Sequence, residues 1–208
     1  MPTVTNITPV KGMQSEIEFD DSQILTIDRE TAALCSVAKG IFLTDERIDE
    51  IKLLSEQKRA KSRAMWYLSR SDCSKKGMLI KLTRAGFLPA ACSDAVDKLC
   101  ELGFIDDERF ADRLAKNYAA AYCSEREIYA KLLKKHIPSD IAKCAAQNAD
   151  CDPKKAIKAI VERKYLNKLM DKDKRKNVFA ALCRKGFSFD DIKSVLNTYS
   201  DMENDYEI

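Results

Sequence analysis

A pattern that recurs three times at intervals of fifty residues constrains the fold of this 208-residue chain more than any other feature. In residues 82–87, 132–137 and 182–187 a Leu is followed by at least one basic residue, then by Gly or His, and then by a large apolar residue. Each copy is typical of an amphipathic helix that ends at the Gly or His position and is followed by a turn and a second helix. Since another helix is indicated before each copy, the pattern predicts three units of three helices.

The N-terminal segment differs from these repeats. Apolar residues near period two flank a turn composition at residues 20–22, so residues 14–28 are predicted to form a β-hairpin. A short helix over residues 29–39 is expected to stop at Gly40. Thr44 is predicted to cap a longer helix that continues to about residue 70.

Together these elements predict a mainly α protein. Its tandem three-helix repeats are expected to form an elongated, curved array after a small N-terminal extension that contains the β-hairpin. Only six Gly and five Pro occur in the chain, which fits the small amount of loop in such a fold. The predicted boundaries are 1–58 for the extension, 59–105, 106–150 and 151–200 for the three repeats, and 201–208 for an acidic tail.

The charges are strongly segregated although the whole chain has a formal net charge of only +3. Residues 59–200 carry a net charge of +12, whereas residues 1–58 carry −5 and residues 201–208 carry −4. A basic block of this size indicates a polyanion or an acidic protein surface as the partner.

Several classes of protein are disfavoured by composition. No apolar run approaches the roughly 20 residues of a membrane helix, and the first dozen residues lack the apolar core of a secretory signal, so we expect a cytoplasmic protein. The eight Cys are scattered without a CxxC pair, and only one His is present. We therefore expect reduced structural thiols, no metal and no cofactor. No phosphate-binding Gly loop, HExxH or nucleophile elbow is found, so an enzyme is not expected.

The single His, His136, stands where the other two repeats have Gly86 and Gly186. A catalytic or metal-binding role is the alternative, but a helix C-terminus favours a polar or cationic end group. We predict that His136 caps its helix or lies on the surface.

An unusual motif lies between the first and second repeats. Gly103 is predicted to end one helix, Phe104 and Ile105 to form an apolar plug, and Asp106 to cap the next helix, with Asp107 in its first turn. Phe110 would then face the core of the second repeat. Three adjacent acids could instead bind a divalent metal or act in catalysis, but capping explains them and no second acidic cluster accompanies them.

With this motif the sequence resembles the RecX family of regulatory proteins, which bind the bacterial recombinase RecA. The resemblance covers most of residues 14–199. It rests on the order of the motifs together with the triple repeat: Arg70, Ser71, Asp72, Cys73, Ser74, Met78, Lys81, Leu82, Gly86 and Phe87 look like the first repeat of the family, and Gly103, Phe104, Ile105, Asp106, Asp107, Phe110 and Ala111 look like its most distinctive element.

The resemblance implies a monomeric regulator of DNA repair, recombination and the SOS response. It would lie in the groove of the RecA nucleoprotein filament, inhibit ATP hydrolysis and strand exchange, and bind single- or double-stranded DNA weakly. Three positions depart from the family pattern: Gly77 replaces an acid, residues 124–127 replace a Gly-containing helix start, and His136 replaces Gly.

The residues expected to contact the filament or DNA are cations of the three repeats, which would make binding weaker as salt is added. They are Arg59, Arg63, Arg70, Lys75, Lys76, Lys81, Arg84, Lys131, Lys134, Lys135, Lys172, Lys174, Arg175, Lys176, Arg184 and Lys185. Trp66 and Tyr67 lie among the first of these and could stack on bases, but aromatic residues at helical spacing more often belong to a core. A competing hypothesis is a stand-alone DNA-binding helical module that does not act through RecA.

Overall fold

In this computed structural model, residues 2–169 and 172–204 are described, with side chains for residues 2–169 and 174–199. The chain divides into two compact units, Met1–Ile105 and Asp106–Ile208. Helices predominate and a small antiparallel sheet lies at the N-terminus, which confirms the predicted mainly α class.

The first unit begins with a three-stranded sheet in the order β1 (Val4–Val10), β2 (Gln14–Phe19) and β3 (Ile24–Asp28). Antiparallel pairing of β2 with β3 confirms the hairpin predicted for residues 14–28. The prediction missed β1, which pairs with β2 through a register irregularity near its start. One face of the sheet buries the side chains of Ile17, Phe19 and Ile27.

The first helix, α1 (Arg29–Leu34), is shorter than predicted, because it ends five residues before position 39. Ser36 adopts a left-handed backbone conformation with a φ of 52°, which leaves the helical path. The amide of Gly40 then donates to the carbonyl of Val4, so this segment pairs with β1 instead of continuing the helix. Gly40 therefore lies in a separate turn, and its predicted role as the end of this helix was wrong.

Three more helices complete the first unit and agree with the predicted helical pattern. They are α2 (Asp45–Leu68), α3 (Lys75–Arg84) and α4 (Pro89–Glu101). The hydroxyl of Thr44 accepts a hydrogen bond from the amide of Arg47, as predicted. α2 is continuous across position 58; its N-terminal half packs on the sheet and its C-terminal half packs on α4.

The second unit contains seven helices within the part of the chain that the structure describes. They are α5 (Asp107–Ala120), α6 (Glu125–Lys134), α7 (Ser139–Gln147), α8 (Pro153–Lys164), α9 (Leu166–Leu169), α10 (Lys172–Arg184) and α11 (Phe189–Asn204). α5 to α7 enclose one apolar core, and α8 to α11 enclose a second one. The short α9 was not predicted.

The recurring pattern forms the same structure three times. Leu82, Leu132 and Leu182 are fully buried, and the Gly or His four residues later has a left-handed φ of 89°, 60° or 91°. In each copy the carbonyl of the Leu accepts a hydrogen bond from the amide of the apolar residue five positions on. This is the Schellman arrangement that satisfies the free carbonyls at a helix C-terminus.

His136 occupies this left-handed position in the second copy with an exposed side chain. Its predicted location at the helix cap is confirmed. Because a Cβ atom disfavours a left-handed backbone, we expect His136→Gly to raise the free energy of unfolding by about 1 kcal/mol. Thermal unfolding followed by circular dichroism measures this, with His136→Ala as the control that keeps the Cβ. If the His136→Gly protein is no more stable than the His136→Ala protein, the left-handed backbone at position 136 is not strained by a Cβ atom.

The motif between the first and second repeats ends one helix and caps the start of the next. Gly103 has a φ of 71°, and the carbonyl of Leu99 accepts the amide of Phe104 at the end of α4. Asp106 then accepts a hydrogen bond from the amide of Arg109 and caps α5, as predicted. Ile105 is buried, but Phe104 is half exposed, so the predicted apolar plug consists of Ile105 alone. Asp107 lies in the first turn of α5, and Phe110 packs against the core of α5 to α7.

Candidate polyanion-binding surface

The cations predicted to bind a partner are distributed over both compact units. Seven lie in the first unit and nine in the second, where the side chain of Lys172 falls outside the described residues. Their surroundings differ, because some point to solvent beside aromatic rings and others make contacts inside their own repeat. We use this difference to identify the cations that can bind a partner.

A line of exposed residues follows the C-terminal half of α2. Arg59, Arg63 and Trp66 are spaced by four and three residues, the spacing that keeps side chains on one face of a helix, and Arg70 follows in the turn after α2 ends at Leu68. The opposite face buries Ala60 and Ala64 against the helices of the first repeat. Burial of these two small residues therefore turns the cations and the indole outward.

Cations contact aromatic rings around these residues. The guanidinium carbon of Arg70 lies 3.8 Å from the centre of the Trp66 ring, and that of Arg63 lies 5.4 Å away. Tyr67 packs edge-on against Trp66 at 5.3 Å, and the Lys81 ammonium lies 5.5 Å from the Tyr67 ring. We call this group the cation–aromatic cluster; it comprises Arg59, Arg63, Trp66, Tyr67, Arg70, Lys81 and Phe87, whose ring lies 5.9 Å from Arg59.

The cluster borders a cleft in the first unit. The cleft is lined by the turn between β1 and β2, by the start of α1 and by α2 from Lys58 to Trp66. The ammonium of Lys58 is paired with the Glu30 carboxylate at 2.6 Å. Within the described part of the chain neither Arg59 nor Arg63 forms an ion pair, so both leave positive charge at the cleft, in addition to the charge of Arg70 at 3.8 Å from the indole ring centre.

In the second repeat Lys131, which corresponds to Lys81, is neutralised within the fold. The ammonium of Lys131 lies 3.0 Å from one carboxylate oxygen of Glu127, donates to the sulfur of Cys123 at 2.9 Å and lies 4.9 Å from the Tyr118 ring. Lys185 approaches the other oxygen of Glu127 at 3.5 Å. One partly buried acid therefore pairs with two of the cations predicted to bind a partner.

A difference of one residue between the repeats accounts for this contrast. Glu127 precedes Lys131 by four residues, but the corresponding residue four positions before Lys81 is Gly77. Ser74 and Ser124 cap the two helices in the same way, so the backbones correspond. Lys81 thus lacks the acid on its own helix that neutralises Lys131, and the first repeat keeps more exposed positive charge than the second.

The third repeat also uses one of its predicted cations internally. The guanidinium of Arg175 donates to the carbonyl of Leu196 at 2.6 Å and ties α10 to α11. Lys176 and Arg184 are exposed. The other six predicted cations are exposed: Lys75, Lys76, Arg84, Lys134, Lys135 and Lys174. Of these, Lys75 pairs with Asp97 at 2.8 Å.

The Glu127 carboxylate is held in its charged form by its neighbours. Burial alone would raise its pKa, but the hydrogen bond from Lys131 and the charges of Lys185 and Lys131 outweigh burial and lower the pKa below its usual value. The hydrogen bond to Cys123, with that to Glu127, in turn raises the pKa of Lys131. The acid and the two lysines therefore form a charged network at neutral pH.

We expect Glu127→Gln to lower the free energy of unfolding by about 1 kcal/mol at neutral pH. Because the folded-state pKa of Glu127 is lowered, its contribution is present above the unfolded pKa and is lost as pH falls through the folded pKa. The difference from wild type should therefore shrink towards zero under acidic conditions. Urea unfolding at several pH values measures it, with exposed Glu125→Gln as the control. If the difference in unfolding free energy between the variant and wild type stays constant with pH, the charged network does not stabilise the fold.

The described residues offer no other evident site of chemistry. No group of three or more His, Cys, Asp or Glu side chains in this part of the chain could hold a metal ion. All eight Cys are free thiols. No helix among the described residues is long and apolar enough to cross a membrane.

Comparison with known proteins gives consistent relatives. A protein named Regulatory protein RecX from Caldanaerobacter subterraneus subsp. tengcongensis is 28% identical over 189 residues, which cover 90% of this chain and 94% of the relative. The protein of that name from Streptococcus gordonii is 27% identical over 92% of this chain and 76% of its own length. No family model matches the chain.

Solved structures agree on the fold. A crystal structure of regulatory protein RecX superimposes with a TM-score of 0.68 and 19% identity, covering 95% of this chain and all of the other. The crystal structure of RecX from Lactobacillus salivarius gives a TM-score of 0.60 with 21% identity over 69% of this chain. These comparisons confirm the family resemblance found in the motifs.

Proposed function

Since the chain is a RecX-family protein by sequence and by fold, we propose that it regulates recombination and repair by binding the RecA nucleoprotein filament. In this proposal it lowers the ATPase and strand-exchange activities of RecA. It has no reaction of its own and works as a monomer in the cytoplasm. A regulatory role in recombination and repair follows from the family, and the filament as its target is our inference.

The observation that carries the proposal is the cation–aromatic cluster of the first unit. A RecA filament contains DNA, whose phosphates attract cations and whose counterions are released on binding. The cluster presents Arg59 and Arg63 on one helix face together with the exposed indole of Trp66. Arginine is suited to this role because its planar group binds phosphate through two parallel hydrogen bonds and also stacks on rings.

Lys131 of the second repeat and Lys185 of the third contribute less to the proposed surface. Glu127 already neutralises Lys131 and Lys185, and releasing either lysine would leave a partly buried acid with fewer partners. We therefore assign the main DNA contact to the first unit. In the third repeat, exposed Lys176 and Arg184 are left as secondary contacts.

The proposal is tested by DNA-stimulated ATP hydrolysis of RecA with substoichiometric amounts of this protein. A regulator that binds the filament is expected to lower the hydrolysis rate well before it reaches one copy per RecA subunit. An unchanged rate, combined with tight and salt-sensitive binding to bare DNA, would contradict the proposal.

That same result would support the second candidate, a stand-alone DNA-binding module. The observation that favours it is also the cluster, because exposed arginines beside an indole suit bare DNA as well as DNA in a filament. The module would bind DNA without RecA and change the ATPase rate only when DNA is limiting. Raising the DNA concentration should then restore hydrolysis fully, whereas a filament regulator keeps its effect.

A further inference from the structure

We propose that Trp66 is a stacking platform for an unpaired base of single-stranded DNA, with Arg63 and Arg59 on the adjoining phosphates. This inference rests on the proposed function, since it names the ligand of the same surface. The inference adds to the proposed function in two ways. It assigns contact with a DNA base to the ring of one residue, and it makes single-stranded DNA, not intact duplex, the preferred ligand.

The first argument is the exposure of the indole. Trp66 keeps 42% of its surface exposed, whereas Ala60 and Ala64 on the same helix are fully buried. The buried residues of α2 lie on the other face, so the ring contributes little to the core. An exposed aromatic ring surrounded by cations is the arrangement by which proteins bind nucleic acid strands without reading their sequence.

The second argument is the arrangement of the cations around the ring. Arg70 lies 3.8 Å from the ring centre and covers part of one face, while Arg63 lies farther off at 5.4 Å. Because Trp66 still exposes 42% of its surface, a base can stack on the ring surface that the two guanidinium groups leave open. Arg59, one turn before Arg63 on the same face, extends the positive charge along the helix.

The length of the charged line fits more than one nucleotide. The seven-residue step from Arg59 to Trp66 within α2 corresponds to about 10 Å at the rise of an α-helix. That distance is about three times the spacing of about 3.4 Å between phosphates along one strand of a duplex. A strand running along α2 can therefore place one base on Trp66 and neighbouring phosphates beside Arg59 and Arg63.

The ring favours single-stranded DNA over other polyanions. Phosphate groups alone need cations but gain nothing from an exposed indole. In a duplex the bases are stacked on each other and their faces are not available to a side chain. An acidic peptide could form ion pairs with the arginines, but it could stack on the indole only through an aromatic residue of its own.

Trp66 is the only tryptophan of the chain, so the intrinsic fluorescence of the wild-type protein reports this site alone. We expect a short oligothymidylate to quench the emission by about half, because a stacked base contacts the indole directly. Two controls are added at equal phosphate concentration: duplex DNA of the same length and inorganic polyphosphate. Neither should quench most of the Trp66 emission. Equal quenching by all three polyanions, or quenching by an acidic peptide but not by the oligonucleotide, would overturn the inference.

Two variants give an independent readout of stacking. Trp66→Ala is expected to weaken oligothymidylate binding about tenfold, and Trp66→Phe to recover most of the loss, as measured by anisotropy of a labelled oligonucleotide. Helix content by circular dichroism verifies folding, and an Ala substitution of exposed Leu133 in the second unit is the control. An unchanged affinity of folded Trp66→Ala would overturn the inference.

The ATPase assay separates this inference from the proposed function. A wild-type protein that inhibits RecA, together with Trp66→Ala of unchanged affinity for the strand, would overturn the stacking role alone. A wild-type protein that is quenched by the oligonucleotide but leaves RecA unaffected would support stacking and contradict the proposed function.

Discussion

Gly186→Ala is expected to destabilise the second unit by about 3 kcal/mol. Gly186 has a φ of 91°, so any Cβ is strained there. In addition, that Cβ would lie 2.8 Å from the Cβ of Arg126 and 2.9 Å from the hydroxyl of Ser124. Neither neighbour can withdraw easily, because Ser124 caps α6 and also donates to the carbonyl of Lys185. The end of α10 would have to separate from the start of α6.

The matched control is Gly86→Ala in the first repeat. Gly86 has nearly the same φ of 89°, but a Cβ at this position meets nothing within 4 Å. Its loss of about 1 kcal/mol measures the backbone strain alone. Thermal unfolding of both variants by calorimetry compares the two costs. Equal losses would show that the contact between Gly186 and α6 has no energetic weight.

Arg63→Glu combined with Arg70→Glu is expected to weaken binding to the RecA–DNA filament by about 100-fold at moderate salt. Both guanidinium groups lie beside Trp66, and their reversal replaces attraction to phosphate with repulsion. The slope of log affinity against log salt should also fall by about 1, for the phosphate contact assigned to Arg63. Sedimentation of the protein with preformed filaments across a salt series measures both quantities.

The control for this double variant is Lys143→Glu with Lys158→Glu. Both lysines are exposed, lie in the second unit and were not assigned to the surface, and their reversal changes the net charge by the same amount. A small loss of affinity is expected from the general field of the protein. If both double variants lose the same affinity, net charge and not the cation–aromatic cluster governs binding.

The features predicted correctly from the sequence are those with local causes. Three buried Leu residues at fifty-residue spacing, each followed by Gly or His at a left-handed cap, identify the repeats because helix ends are specified by a few neighbouring residues. Thr44 and Asp106 cap helices for the same reason. The hairpin of β2 and β3 is likewise specified by alternation around one turn.

The features missed depend on residues far apart in the chain. α1 ends early because the segment after it pairs with β1, and β1 itself has no hydrophobic alternation strong enough to identify it. The contact of Lys185 with Glu127 joins residues 58 positions apart. The ion pair of Glu127 with Lys131 could have been predicted from the sequence, because an acid four residues before a lysine on a helix is a recognised stabilising spacing.

The choice between the three basic clusters also required the fold. By composition the third repeat is the richest, with Lys172, Lys174, Arg175 and Lys176 within five residues. Arg175 nevertheless ties α10 to α11. The first repeat was distinguished only by the exposure of Trp66 and by the Gly at position 77, whose consequence for Lys81 becomes clear when the repeats are compared in space.

The central claim is that this chain recognises a RecA filament rather than bare DNA. The most direct measurement compares the affinity of the wild-type protein for a labelled single strand with its affinity for the same strand fully coated by RecA, at one physiological salt concentration. We predict at least about tenfold tighter binding to the filament, since the family fold and the cluster would then act on one target. Equal affinity, or tighter binding to the bare strand, would contradict the account.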